Sequence, residues 1–220
     1  MRSAVLLALL LLMPAISSSQ GFMRFYRMTY GLSGFYLTGS SDTDIDFVTG
    51  REGAVMDRDV FRVSSRNGFF VTRNFVIGAE VNWEQVLEDS RPDPNPGGNS
   101  VEGFERRVFI GPLFRLYQMM TMRWYLYPEV SLGYTHFVSE IQETGLNLGN
   151  LPRTITARGF AVNAGAGFGY LLTRNVIFDV SARYMRAWRD GEYEVPGTAD
   201  VDVDMTEWDL QLLVGFQLLM

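Results

Sequence analysis

Residues 69–83 read FFVTRNFVIGAEVNW, and residues 170–184 read YLLTRNVIFDVSARY. Each passage sets apolar residues on both sides of the same tripeptide, Thr72-Arg73-Asn74 in one and Thr173-Arg174-Asn175 in the other. The tripeptide is polar and short, as a tight turn requires. Its flanks alternate large apolar residues with small or charged ones, the two-residue period of a strand. Both passages therefore predict β-hairpins.

Working outward from these hairpins, alternation and turn signals predict eight strands, over 29–39, 60–71, 75–87, 104–117, 123–138, 158–172, 176–188 and 206–220. The gaps alternate strictly between short (72–74, 118–122, 173–175) and long (40–59, 88–103, 139–157, 189–205). All short turns then lie at one end of an antiparallel array and all long loops at the other. The long gaps hold the breakers, such as SRPDPNPGGNS at 90–100 with three Pro and two Gly. Short turns at one end, long loops at the other and an even strand count are the layout of an up-and-down transmembrane β-barrel. Pro112 and Pro128 fall inside strands, where each removes a ladder donor. Their symmetric placement about 118–122 predicts a local bulge near the short-turn rim.

The first nineteen residues have a different character. Arg2 is followed by an apolar run from Ala4 to Met13, then Pro14 and small residues from Ala15 to Ser19. That is the pattern of a cleaved export signal, with the cut expected between Ser17 and Gln20. The apolar run is too short for a membrane-spanning helix, which needs roughly 20 residues. Residues 20–220 are expected to form one domain. Cysteine is absent, which excludes disulfides and thiolate metal sites. A net charge of −6 and a pI near 4.9 argue against nucleic acid as a partner. All 19 basic residues are Arg, the better partner for buried carboxylates.

Alternation splits each strand into two sets. In the third strand, Phe75, Ile77, Ala79, Val81 and Trp83 oppose Val76, Gly78, Glu80, Asn82 and Glu84. In the last, Trp208, Leu210, Leu212, Val214, Phe216, Leu218 and Met220 oppose Asp209, Gln211, Gly215 and Gln217. A soluble lipocalin-like cup would turn the apolar set inward around a ligand, whereas a membrane barrel turns it toward lipid. The second set is rich in Gly and small polar residues, which suit a crowded interior. All four Trp (Trp83, Trp124, Trp188, Trp208) fall in the apolar set near strand ends, where an interfacial aromatic belt places them. The apolar set is therefore expected to face lipid.

The eight-strand layout, the leader, GFGYLLTRN at 167–175 and the terminal WDLQLLVGFQLLM at 208–220 resemble the bacterial outer-membrane protein β-barrel domain family, the small OmpX/OmpA/OmpW-like barrels. The resemblance covers the whole expected domain and lies in the pattern, without a catalytic signature. It implies an integral protein of the Gram-negative outer membrane, with outer-membrane lipids and lipopolysaccharide around it. It also implies dependence on the barrel-insertion machinery, a monomeric state and no cofactor. One departure is the last residue: such barrels often end in Phe, and this chain ends in Met220 after Phe216.

Several residue groups invite a chemical reading. Arg62, Arg66, Arg107, Arg115 and Arg183 and Glu80, Glu84, Glu129 and Asp179 fall in the inward set. They could form a selectivity ring, a proton path, or a charge-paired plug in an interior just wide enough for side chains. Pairing of Arg62 and Arg66 with Glu80 and Glu84 across their hairpin is sterically reasonable. His136, the only histidine, is followed by Ser139 and Glu140 in HFVSEIQE. A lipid-modifying enzyme of the outer membrane would need them together, yet His136 and Ser139 have opposite strand parity. An interfacial role for His136 is the simpler reading. Asp42, Asp44 and Asp46, and Asp200, Asp202 and Asp204, each place three carboxylates on one face of an extended chain. If the first and last strands are neighbours, a divalent cation could bridge them, or they are solvated acidic loops. Arg186 and Arg189 near the outer rim could meet lipopolysaccharide phosphates. The expected function is a non-catalytic outer-membrane barrel with a structural or surface-interaction role through acidic extracellular loops. A lipid A-modifying enzyme using His136, a narrow small-solute channel and a lipocalin-like carrier are the alternatives.

Overall fold

A computed structural model describes residues 27–43, 54–91, 100–144, 152–194 and 201–220. The export-signal expectation for residues 1–19 lies outside them. Nine strands occur in chain order: β1 (Met28–Thr43), β2 (Ala54–Phe70), β3 (Phe75–Arg91), β4 (Ser100–Leu116), β5 (Gln118–Met119), β6 (Trp124–Thr144), β7 (Pro152–Leu171), β8 (Val176–Glu194) and β9 (Val201–Leu219). β4 and β5 form a single stave interrupted at Tyr117, since both pair with β6 in one register. The described residues thus form eight antiparallel staves, and β1 pairs with both β2 and β9 to close the ring.

The register fixes the shape. From Thr29 the ladders lead through Gly68, Gly78, Leu113, Ser131, Asn163 and Met185 to Asp209. The direct partner of Thr29 on β9 is Leu219, ten residues further along (219 − 209 = 10). A shear of ten across eight staves tilts the strands by about 40° and leaves a bore that side chains fill.

The three short turns are built alike. Val71, Met120 and Leu172 each donate their N–H to the carbonyl of Phe75, Trp124 and Val176, at 2.9 Å in all three. Thr72 Oγ1 accepts from the amides of Asn74 and Phe75 at 3.5 and 3.2 Å, and Thr173 Oγ1 from those of Asn175 and Val176 at 3.3 and 3.2 Å. Thr121 Oγ1 does the same for Arg123 and Trp124, both at 3.3 Å. The middle turn is therefore residues 120–123, tighter than the 118–122 gap expected, with Thr121-Met122-Arg123 in the place of Thr-Arg-Asn.

Two other expectations are corrected. The strands run several residues past their expected ends on the long-loop side, so β6 reaches Thr144 and β8 Glu194. The wall there stands above the apolar band, and in β6 and β8 its residues are mostly polar (SEIQET at 139–144, RDGEYE at 189–194), which leaves little hydrophobic period to read. The prolines produce no bulge. β4 pairs with β6 in the same register on both sides of Pro112 and Pro128 (Ile110 opposite Tyr134, Leu113 opposite Ser131, Arg115 opposite Glu129, then Gln118 opposite Leu126). Rungs are skipped with no residue inserted. Beside Pro112 the strands close in on each other: a Cβ on Gly111 would lie 2.8 Å from Gly133 Cα. Glycine is required on both sides of that gap.

One ladder is short. β1 meets β9 only from Thr29–Leu219 to Gly34–Val214, six rungs, whereas β1 and β2 stay paired over sixteen, from Met28–Phe69 to Thr43–Ala54. Above Gly34 no rung joins β1 to β9 among the described residues. Trp208 and Leu210 on β9 are consequently 71% and 72% exposed, against 39% for Trp124 and 42% for Trp188.

Candidate functional site: the lumen and the outer wall

Alternation places the apolar set outside. Leu32, Ile77, Val81, Ile110, Leu132, Phe160, Phe168, Leu210, Leu212 and Phe216 are exposed large hydrophobics, while the buried set of β8 contains Asp179, Ser181, Arg183 and Arg189. That is the reverse of a lipocalin-like cup. Trp124 packs on Phe168 and Tyr170 at ring distances of 4.7 and 4.5 Å near the short-turn end. Trp83 packs on Phe61 and Trp188 on Phe160 toward the other end. Ten residues separate Leu218 from Trp208 on β9, about 25 Å along the axis at this tilt, the height of an outer-membrane barrel's apolar band. Among the described residues between the girdles, Ser65 and Asn67 put polar side chains on this face, alongside tyrosine hydroxyls and Arg186 just below Trp188. Asn67 Nδ2 donates to Ser65 Oγ at 3.0 Å, and both line a shallow groove of about 300 Å³ with Tyr30, Leu32, Phe216 and Leu218. At the short-turn rim, Arg123 donates to Tyr170 Oη at 3.1 Å. That bond holds its guanidinium pKa above the ordinary value.

The lumen is filled in three layers. At the short-turn end, Val76, Tyr117, Tyr125, Tyr127, Leu171, Ile177 and Leu219 form an apolar plug. Next comes a layer in which Glu129 is the hub. Its Oε2 accepts from Arg115 Nε and Nη2 at 2.9 and 2.6 Å, and its Oε1 from Arg66 Nη1 at 2.8 Å, with Arg183 Nε 3.2 Å away. Arg66 Nη2 also donates to Ser33 Oγ at 2.8 Å and Asp179 Oδ2 at 3.2 Å. Arg183 forks onto Glu80, which Ser131 also contacts as donor. Arg115 lies 4.6 Å over the Tyr127 ring, and its Nη1 donates to Tyr117 Oη at 2.9 Å and Gln217 Oε1 at 3.0 Å. Three guanidinium groups face three carboxylates, so the layer is formally neutral, and its ion-paired side chains are fully buried.

Toward the long-loop end a second charged layer is less neutral. Arg62 pairs with Glu84 and with Asp209, at 2.6 Å to the latter. Arg107 pairs with Glu84, Glu105 and Glu207 at 3.2, 3.0 and 2.6 Å, and Arg189 with Glu207 at 2.5 Å. Phe137 sits between the guanidinium groups of Arg107 and Arg189, at 5.6 and 5.4 Å. Here three arginines meet four carboxylates.

All nine inward charges named from the sequence lie in these two layers. The pairing differs from the hairpin expectation: Arg62 meets its register partner Glu84, but Arg66 reaches across the bore to Glu129 and Asp179, and Glu80 takes Arg183. In an eight-stave barrel the bore is narrow enough for long side chains from different walls to meet inside it. Sequence reasoning omitted Glu105, Glu207 and Asp209 from the charge network, although their parity was readable. Arg189 is corrected: it is buried in the lumen, with no outward contact. His136 faces out and Ser139 is buried inside, so the two stand on opposite sides of the wall and cannot share a site. Of the aspartate sets, Asp44, Asp46 and Asp200 lie outside the described residues, as does the side chain of Asp42. Asp202 and Asp204 are exposed on β9 opposite Glu192 and Asp190 of β8. The β1–β9 ladder ends at Gly34, well before Asp42. Among the described residues no group of three potential ligands could hold a metal ion.

The fold has known counterparts. A major outer membrane protein from Thermus thermophilus matches with a TM-score of 0.51 and 13% identity, over 88% of this chain and 98% of that one. The outer membrane protease OmpT from Escherichia coli matches with a TM-score of 0.50 and 8% identity, over 92% and 99%. The outer membrane protein OprG from Pseudomonas aeruginosa gives 0.48 and 15%, over 91% and 99%. No protein-family model matches the sequence, and comparison with curated proteins finds no match. At these identities the likeness is one of fold: a closed antiparallel barrel of the outer-membrane type.

Proposed function

Taking an outer-membrane-type barrel as the premise, we propose that this is a non-catalytic, monomeric integral protein of a bacterial outer membrane, with a structural or surface-interaction role. The short turns face the periplasm and the long connections face outward, the usual sidedness of such barrels. The observation that carries this reading is the filled lumen. An apolar plug and a neutral, ion-paired layer lie in series across the bore, which leaves the outer face and the loops as the surfaces that act. A buried ion network of this kind holds only while every charge has a partner, and a water-filled conduction path would hydrate and loosen it. Insertion by the cell's barrel-assembly machinery and contact with lipopolysaccharide belong to the same proposal.

The test has two parts. The outer-membrane fraction, run in SDS with and without boiling, should show a mobility shift for a closed barrel. The purified protein in a planar bilayer should then be electrically silent. Steady single-channel conductance would overturn the plugged-lumen reading, and a soluble periplasmic protein with no mobility shift would overturn the membrane reading.

A further inference from the structure

Away from the short-turn rim, where Arg27, Arg73, Arg123 and Arg174 are exposed, the outward cations are grouped. His136 on β6 stands opposite Arg158 on β7, with Arg106 on β4 and Arg186 on β8 on the flanking staves. Ladder register and shear place all four in a slab about 7 Å deep and about 14 Å wide on one quadrant of the wall. The slab coincides with the upper aromatic girdle of Tyr134, Phe160 and Trp188. Arg106, Arg158 and Arg186 are exposed. Arg186 starts one outward position below Trp188 and turns its guanidinium 5.2 Å over that ring, which lifts its charge to the level of the indole. Arg106 lies 5.4 Å over Phe104. None of the three forms an ion pair among the described residues, although Asp190 stands opposite Arg158 across the β7–β8 ladder. At the same level β2, β3 and β9 carry Asp59, Gln85 and Trp208, so no other of these staves repeats the pattern. The outward carboxylates Glu102, Glu140, Glu192 and Asp204 all lie further toward the loops. In a chain of net charge −6, the outward cations of β4, β6, β7 and β8 lie at the girdle, and the outward carboxylates of these staves, Asp190 included, lie above it.

We infer that this quadrant binds a lipid whose headgroup carries at least two phosphates, of the lipid A type found in an outer leaflet. Three planar guanidinium forks suit phosphate oxygens, and the width of the slab exceeds what one phosphate can bridge. Phosphates docked at Arg106, Arg158 and Arg186 leave the acyl chains against the apolar wall below, over Leu132, Val162 and Tyr184. The His136 ring adds an N–H donor at the centre. The inference rests on the outward orientation of the long loops proposed above.

The whole protein, folded in neutral detergent, is titrated with diphosphoryl lipid A, monophosphoryl lipid A and phosphatidylglycerol, and bound lipid is counted by native mass spectrometry. Diphosphoryl lipid A is expected to bind at one copy per barrel, about tenfold more tightly than the monophosphoryl form. Arg158→Gln should weaken it by about tenfold, and Arg106→Gln/Arg158→Gln/Arg186→Gln by about a hundredfold or more. Equal retention by the wild type and the triple variant, or equal binding of all three lipids, overturns the inference. If the triple variant lacks the heat-modifiable band, Arg158→Gln decides alone, because Arg158 forms no ion pair among the described residues. A wild-type protein that lacks that band fails the membrane reading; one that has it and ignores headgroup phosphate fails only this inference.

Discussion

Glu129 is where the lumen is most exposed to a single change. Glu129→Gln keeps the volume and removes the charge that three buried arginines share. The carboxylate accepts three hydrogen bonds from guanidinium groups at 2.6–2.9 Å, with a further ion-pair contact at 3.2 Å. Taken singly, bonds to charged groups are worth about 1.5–3 kcal/mol each, but contacts within one network do not add. Removing one partner of a buried pair costs about 3–5 kcal/mol, largely because the charge left behind has no solvent. Glutamine retains one acceptor oxygen and turns an NH₂ toward the arginines, so a loss of about 4 kcal/mol is expected. Adding Arg115→Met restores a neutral layer and should recover about half of it. The assay is equilibrium urea unfolding in lipid vesicles, followed by tryptophan fluorescence and by the unboiled SDS band. A Glu129→Gln barrel within about 0.5 kcal/mol of wild type, the scatter typical of surface substitutions, would refute the reasoning and mean that the layer is hydrated and screened.

Three further outcomes follow from the wall and the turns. Val180→Arg or Leu212→Arg should cost about 2–4 kcal/mol in the same assay, whereas Thr206→Arg above the girdle should cost about 1 kcal/mol or less; equal costs would reverse the facing. Thr173→Ala removes the acceptor for two turn amides and should destabilise by about 1 kcal/mol, and Thr121→Ala should match it, since the two turns have the same bonds. Asn67→Leu with Ser65→Val removes the polar pair from the lipid face and should raise the urea midpoint, by about 1–3 kcal/mol in stability; a drop would show that the pair has a partner in the membrane.

The barrel was legible because its two determinants are local. A two-residue period gives each strand and its facing, and Thr-Arg-Asn gives two of the turns. The middle turn was drawn too long, from 118 to 122 where the structure has 120–123: Thr121-Met122-Arg123 forms the same bonds from a different tripeptide, and only the threonine is common to all three. Inwardness was legible from parity for the nine charges named, but Arg189, one residue past the expected end of its strand, was assigned to the rim. The partners of these charges were not legible. Glu129 and Arg66 are 63 residues apart in sequence and meet through the bore, which depends on the shear, and the shear is a sum over every register in the ring. The outward cation group was hidden for the same reason. Arg106, His136, Arg158 and Arg186 are ordinary singly, and only the tilt of the staves brings them level.

The six-rung ladder between β1 and β9 makes this cylinder unequal around its circumference. Joining the first stave to the last closes the longest loop in the chain, the most costly step in entropy and the last to be rewarded. It is also the step with the fewest bonds to hold it. Where rungs are missing, Arg62 on β2 reaches past β1 to Asp209 on β9, a rivet set behind the split. The lifetime of the folded barrel is then decided on that line. Amide protons of β1 and β9 should exchange before those of β6, β7 and β8, and the ring should come apart like a coat unbuttoned from the top.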